Sequence, residues 1–359
     1  MSHKNCIVYD ITDWEVWQHL QTGGSRKKKI VKNPQDNNLY YYKTSLYKGE
    51  RYYKYEFWSE ILASKLGQYF GFNVLDYNIG ISENEVGCIS KSMLSGLSNH
   101  ELIEGRQYLA GTNVVYDPDN KRCYDMYTFQ FIEHALHEYN IEYVMDDILR
   151  TIVFDCIIGN SDRHQDNWSV MCLKTGLEGY TKQQINLIRK HLNAKVSTLF
   201  EKIKLRLRIL LTPRLKNFNY KSVIKQIKGR LAPIYDSGCC LAREFEDNAL
   251  QSLDIDKYIT KGVSEIRWES ANSSHKKVSH FELICKTREY NKNYAMVINR
   301  EIERVLKIYN ENEVRTIVFN IDKELCSDYN TYSLPDERKN VICDIIDKRI
   351  NKIEKLISL

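Results

Sequence analysis

The chain has 359 residues, with 52 Lys+Arg against 47 Asp+Glu and a formal net charge of +5. At 43% apolar and 28% charged it is neither disordered nor fibrous, and it is long enough to bury a large core in about two lobes. The charge is uneven: residues 181–230 hold 14 Lys/Arg and one acid, Glu201, a net of +13 that leaves −8 on the remainder.

The first residues, Met1 to Trp14, mix Lys4, Asp10 and Asp13 with apolar side chains, which argues against a secretory leader. No run of about 18 apolar residues occurs, and the most apolar stretch, Thr151–Gly159, is broken by Asp155. The ten cysteines form no CxxC and no paired Cys/His spacing, so neither a zinc site nor a disulfide framework is expected. These features fit a soluble protein of a reducing cytoplasm.

In chain order, Ile7–Tyr9, Ile30-Val31 and Leu39–Tyr42 read as short strands, separated by turn signals at Gly23-Gly24 and Asn33–Asn38. From Lys54 to Phe70 the residues Phe57, Ile61, Leu62, Leu66 and Phe70 recur at helical spacing, and Gly71 stands at a stop position. Strands follow at Val74–Ile81 and Val86–Ser90, then a Ser/Gly/Asn-rich stretch, Ser92–Asn99, that reads as a hinge. Asp125–Tyr139, Ile141–Ile158, Ala295–Tyr309 and Pro335–Leu359 have helical periodicity. The expected architecture is α+β, with a small β-rich lobe over residues 1–95 and a larger helical lobe over 96–359.

The densest polar segment follows the apolar helix: Gly159-Asn-Ser-Asp-Arg-His-Gln-Asp-Asn167. Asp162 and Asn167 are five apart, the separation of base and metal-binding Asn in protein-kinase catalytic loops. Phosphoryl transfer needs such a pair, one carboxylate to orient and deprotonate the attacking hydroxyl and one neutral oxygen to hold Mg²⁺ on the phosphates. Leu231-Ala-Pro-Ile-Tyr-Asp-Ser-Gly238 offers a second metal ligand, Asp236, between an apolar run and a Gly. Lys43 ends an aromatic strand, where it can meet α/β-phosphates if a helix carboxylate holds it. Glu56 and Glu60, one turn apart, are the candidates, Glu56 first. A phosphate loop is expected at Thr22–Lys28, with Gly23, Gly24 and Ser25 giving backbone N–H groups and Lys28 charge. Each of these alone also suits a plain turn or a solvated surface.

Together and in this order they resemble the HipA-like kinases, and the Asp-Arg-His-x-x-Asn core is similar to that of phosphatidylinositol 3/4-kinases. The resemblance covers roughly Cys6 to Glu246 outside the basic window. It implies a two-lobed protein-kinase-like fold with ATP and Mg²⁺ in the cleft, Asp162 as catalytic base, Asn167 and Asp236 on the metal, and Lys43 on the phosphates. His164 matches a family position that shapes the loop or the γ-phosphate environment. Family members phosphorylate Ser/Thr of proteins, often themselves, which makes Thr22 and Ser25 candidate autophosphorylation sites. Some are toxins held by an antitoxin partner and some are bacterial effectors.

The chain departs from that pattern in the distance between Asp162 and Asp236, which are 74 apart, most of it an insert at about 176–229. Within it Ile185, Ile188, Leu192, Val196 and Leu199 suit an amphipathic helix, and Lys202–Ile209 alternates strictly between charged and apolar. Its basic face fits an acidic protein partner or an anionic membrane, whereas sparse aromatics disfavour nucleic acid. Pairing with the acidic remainder of the chain is the plainer reading. The expected activity is ATP/Mg²⁺-dependent phosphorylation of protein Ser/Thr. A phosphoinositide kinase and a catalytically silent kinase-like binding module are the alternatives.

Overall fold

The computed structural model describes residues 6–17, 28–97, 100–173, 229–270 and 275–357. The first lobe is built on a six-stranded sheet. Its strands are β1 (Val8–Asp10), β2 (Glu15–Val16), β3 (Lys28–Lys32), β4 (Leu39–Lys43), β7 (Tyr77–Ser82) and β8 (Glu85–Lys91), in the order β1-β7-β8-β4-β3-β2. β1 lies parallel to β7 and the other pairs are antiparallel. The small hairpin β5–β6 (Tyr47–Lys48, Arg51–Tyr52) leads from this sheet into α1 (Glu56–Tyr69).

The five apolar residues with helical spacing in α1 and its end are all buried, but so are Glu56, Glu60 and Lys65. The helix is therefore enclosed on every side, between the sheet and the second lobe. It ends where Gly71 adopts a left-handed φ of 76° and the Phe72 N–H closes on the Gly67 carbonyl. Buried charge on such a helix is tolerated only where partners meet it: Lys65 pairs with Asp76 at 2.7 Å, and the partners of Glu56 and Glu60 form the site below.

Beyond the Ser92–Leu97 turns, β9 (His100–Glu104) leads into α2 (Gly105–Thr112), and α3 (Phe129–Glu138) and α4 (Met145–Ile158) follow. Asp146 and Asp147 favour the positive start of α4, and nearly all its later residues are in the core. Its end is sharp: Gly159 takes φ 71°, and a Cβ there would stand 2.8 Å from the Arg349 guanidinium. After the polar loop, β10 (Ser169–Leu173) pairs antiparallel with both β9 and β11 (Arg230–Leu231). The strands on either side of the basic window are thus direct neighbours, which explains how a long stretch of chain separates Asp162 from Asp236. Residues 174–228, like Thr22, Gly23, Gly24 and Ser25, lie outside the described residues.

The second lobe is completed by α5 (Asp247–Leu250), α6 (Ile255–Lys261), the β12–β13 hairpin (Val263–Trp268, Lys276–Ser279), α7 (His280–Tyr290), α8 (Lys292–Ile308), α9 (Glu311–Phe319) and α10 (Asp336–Ile357). One continuous apolar core joins α1, α4, α8 and α10. The expected α+β arrangement, strand-rich first and helical second, is what forms. The hinge-side boundary between the lobes is softened by the Asp236 segment, whose Ile234 exchanges backbone hydrogen bonds with Asn73 and Leu75 just after α1. No described helix is long and apolar enough to cross a membrane.

Candidate active site

The site forms where the end of β4, the buried face of α1, the loop after α4 and the chain after β11 meet. Lys28 and Lys43 are directly opposite across β3 and β4, so their side chains share a face. The Lys43 ammonium lies 3.0 Å from Asp236 Oδ1 and 3.4 Å from Glu60 Oε1, and Lys28 stands 3.8 Å from Asp236 Oδ2. Burial works against the Lys43 charge, but Asp236 above all, then Tyr77 and Glu60, raises its pKa well above the ordinary lysine value. It stays an ammonium at neutral pH.

The carboxylate partner of Lys43 on α1 is therefore Glu60, and the preference for Glu56 is corrected. Glu56 sits at the first helical position, where its Oε2 accepts the Leu46 N–H at 3.1 Å and its Oε1 meets Arg243 at 3.4 Å. One turn on, Glu60 lies level with the end of β4, and its Oε2 also accepts the Ser237 N–H at 2.8 Å. The choice between two acids on one helical face depends on where the strand ends against the helix. Gly238 permits this approach, because a Cβ there would stand 3.0 Å from Glu60 Cγ and 3.2 Å from Glu56 Cγ.

Asp236 itself has φ 54°, a left-handed conformation that Asp tolerates better than most residues but still at some cost. Leu241 and Ala242, also left-handed, continue the segment. Such strain persists only where the surroundings hold it, and it concentrates at functional sites.

The loop after α4 is fixed from within. Asn167 Nδ2 donates to the Asp162 carbonyl at 2.7 Å, the Asn167 N–H donates to the His164 carbonyl at 2.9 Å, and Asn160 Oδ1 accepts the Asp162 N–H at 3.3 Å. Exposure alternates along it: Asp162, His164 and Asp166 are half-buried, whereas Arg163, Gln165 and Asn167 are buried. The Cys239 thiol donates to Asp162 Oδ2 at 3.2 Å and receives Arg243 Nη2 at 2.9 Å. Glu56 thus reaches Asp162 through Arg243 and Cys239 rather than reaching Lys43. His164 faces Asp166, whose other oxygen meets Arg106 at 3.3 Å. Below the loop, His280 Nε2 meets the Asn160 carbonyl at 2.7 Å, and burial with the nearby Arg349 charge lowers its pKa to about 4.

Arg163, passed over in the sequence, is the hub. Its guanidinium forms a bidentate pair with Asp155 and also holds the Asn167 and Tyr235 carbonyls and the Ser237 hydroxyl. The legible signal was Asp155, a lone acid in the apolar run of α4, which requires a buried cation. Among the described residues no three His, Cys, Asp or Glu side chains cluster as a metal cage. The fit to Mg²⁺ rests on hard oxygen donors: the Asp236 carboxylate, and Asn167 Oδ1, since Asn167 Nδ2 is committed to the Asp162 carbonyl.

No protein-family profile and no curated protein sequence matches the chain. Among solved structures it is similar to the Helicobacter pylori proinflammatory kinase CtkA, with a TM-score of 0.65 at 18% identity over 97% of this chain and 96% of that one. It also aligns with Shewanella oneidensis HipA, solved with HipB and its operator DNA, at a TM-score of 0.48 and 10% identity, over 97% of this chain and 71% of that one. The chain thus has the two-lobed α+β fold of a bacterial kinase, as its HipA-like motifs led one to expect.

Proposed function

We propose that the protein is an ATP/Mg²⁺-dependent kinase that transfers the γ-phosphate to Ser/Thr hydroxyls of a protein. The observation that carries this reading is the convergence of four groups from three distant places in the chain. Lys43 from the sheet and Asp236 from beyond β11 are 3.0 Å apart, and the loop bearing Asp162 and Asn167 is tied to the residues on either side of Asp236. Lys43 and Lys28 supply positive charge for the phosphates, and Asn167 and Asp236 would hold the metal. When bound, Mg²⁺ neutralises charge on the transferring phosphoryl group.

The chain's own work is positioning. Asp162, with its carbonyl held by Asn167 and one carboxylate oxygen held by Cys239, keeps its other oxygen for a substrate hydroxyl. It orients that hydroxyl and takes its proton as the new O–P bond forms and the bond to the ADP oxygen breaks. His164 and Asp166 share the half-buried side of the loop with Asp162, and Lys28 stands 3.8 Å from Asp236 Oδ2. Glu60 keeps Lys43 aimed while Asp236 is occupied. The same chemistry allows autophosphorylation at Thr22 and Ser25.

The discriminating experiment supplies ATP and Mg²⁺ with a Ser/Thr-containing peptide library in one arm and phosphoinositide vesicles in the other. Phosphate found by mass spectrometry on Ser or Thr supports the reading. Phosphate on lipid alone would replace it with the lipid-kinase alternative.

A further inference from the structure

One buried charge in the site has no part in phosphate or hydroxyl chemistry. Arg163 is 2% exposed. Its guanidinium carries five N–H donors in a rigid fork, and each has an acceptor. Nε and Nη2 take the two oxygens of Asp155 at 2.9 and 2.8 Å, and Nη2 also reaches Ser237 Oγ at 2.9 Å. Nη1 bridges the Asn167 carbonyl at 2.9 Å and the Tyr235 carbonyl at 2.5 Å.

The acceptors come from three places. Asp155 belongs to the last turn of α4, a fixed point in the core. Asn167 is one proposed metal ligand. Tyr235 and Ser237 flank Asp236, the other, which is held in a left-handed backbone conformation. The backbone of Arg163 is pinned as well, since Tyr127 donates to its carbonyl at 2.9 Å and Trp168 Nε1 donates to Tyr127 at 3.1 Å.

Stability alone does not call for this arrangement, because well-packed apolar residues commonly do as well as a buried ion pair. What an apolar side chain cannot do is bind carbonyls from two separate segments in one plane, and lysine, with three donors around a point charge, cannot reproduce the fork.

We propose that Arg163 is a positioning residue that sets the spacing between Asn167 and Asp236, with Asp155 as its anchor. Its consequence for the metal rests on the kinase reading above, while the clamp itself rests on geometry alone.

The test compares wild type with Arg163→Lys and Ser237→Ala. Mn²⁺ binding in the presence of a non-hydrolysable ATP analogue is followed by electron paramagnetic resonance, and amide hydrogen exchange over residues 232–240 is followed without ligand. Expected are a loss of more than tenfold in Mn²⁺ affinity for Arg163→Lys and about threefold to tenfold for Ser237→Ala, the scale of one ordinary net hydrogen bond. Exchange over 232–240 is faster in both, and analogue affinity measured without metal changes less than threefold. Ser237→Ala removes a single hydroxyl and carries the test if Arg163→Lys does not fold. Unchanged Mn²⁺ affinity and exchange in the folded variants would overturn the proposal while wild-type binding kept the kinase reading. A wild type that binds neither Mn²⁺ nor the analogue would overturn the kinase reading and the metal role together, leaving exchange to report on the clamp.

Discussion

Replacing Glu60 by Gln separates the partner that Lys43 has in the fold from the one its sequence spacing first favours. The Lys43–Glu60 separation of 3.4 Å corresponds to roughly 5 kcal/mol of attraction at an effective dielectric near 20. Much of this is offset, because a neutral amide costs less to bury and Gln keeps an oxygen for the Ser237 N–H. The net loss is about 2 kcal/mol, close to the worth of a hydrogen bond to a charged group. Nucleotide affinity measured by isothermal titration with ATP and Mg²⁺ should fall about thirtyfold in Glu60→Gln. Glu56→Gln should leave that affinity within about threefold, since Glu56 meets Leu46 and Arg243 instead. Equal losses in the two variants, or a larger one for Glu56→Gln, would refute the assignment of Glu60 to Lys43.

Three further outcomes follow from the same contacts. Asp155→Asn leaves the Arg163 guanidinium buried without its carboxylate and should cost about 3 kcal/mol in urea unfolding; a loss under about 1 kcal/mol would mean the pair contributes little. His280 takes up a proton in the fold only near pH 4, against an ordinary 6.5, so the unfolded chain binds that proton more tightly. Stability from this group is complete above pH 6.5 and is lost as pH falls toward 4, by ~2 kcal/mol at pH 5, and His280→Gln should flatten that part of the stability profile. Cys239→Ala should lower kcat about threefold to tenfold with KM for ATP unchanged, whereas Cys239→Ser, which keeps a donor to Asp162, should stay near wild type. An Ala variant as active as wild type would remove Cys239 from the site.

Much of the first lobe was legible because its elements have simple periods. The aromatic strand Leu39–Lys43 and the apolar stripe of α1 are set by local pattern, and the catalytic-loop spacing is local too. The second lobe was less so. α7 buries His280 and Thr287 along with its apolar residues, so its apolar stripe is broken, and α2 is short with a polar start. The contest between Glu56 and Glu60 could not be decided by spacing, since one turn separates them and both are buried. Arg163 was hidden for a similar reason. A charged residue in a polar loop reads as solvated until Asp155, Asn167, Tyr235 and Ser237, from separate parts of the chain, close around it. The long separation of Asp162 from Asp236 was visible as an interruption, but only the pairing of β10 with β11 explains why it leaves the site intact.

Asp162 is the group proposed to activate a hydroxyl toward the γ-phosphate of ATP. Its most direct test is transfer of label from γ-phosphate-labelled ATP, with Mg²⁺, to protein by wild type and by Asp162→Asn, each first verified as folded. Label is expected with wild type, and this role of Asp162 predicts a loss of at least about a hundredfold in Asp162→Asn. Equal label with both proteins would contradict it.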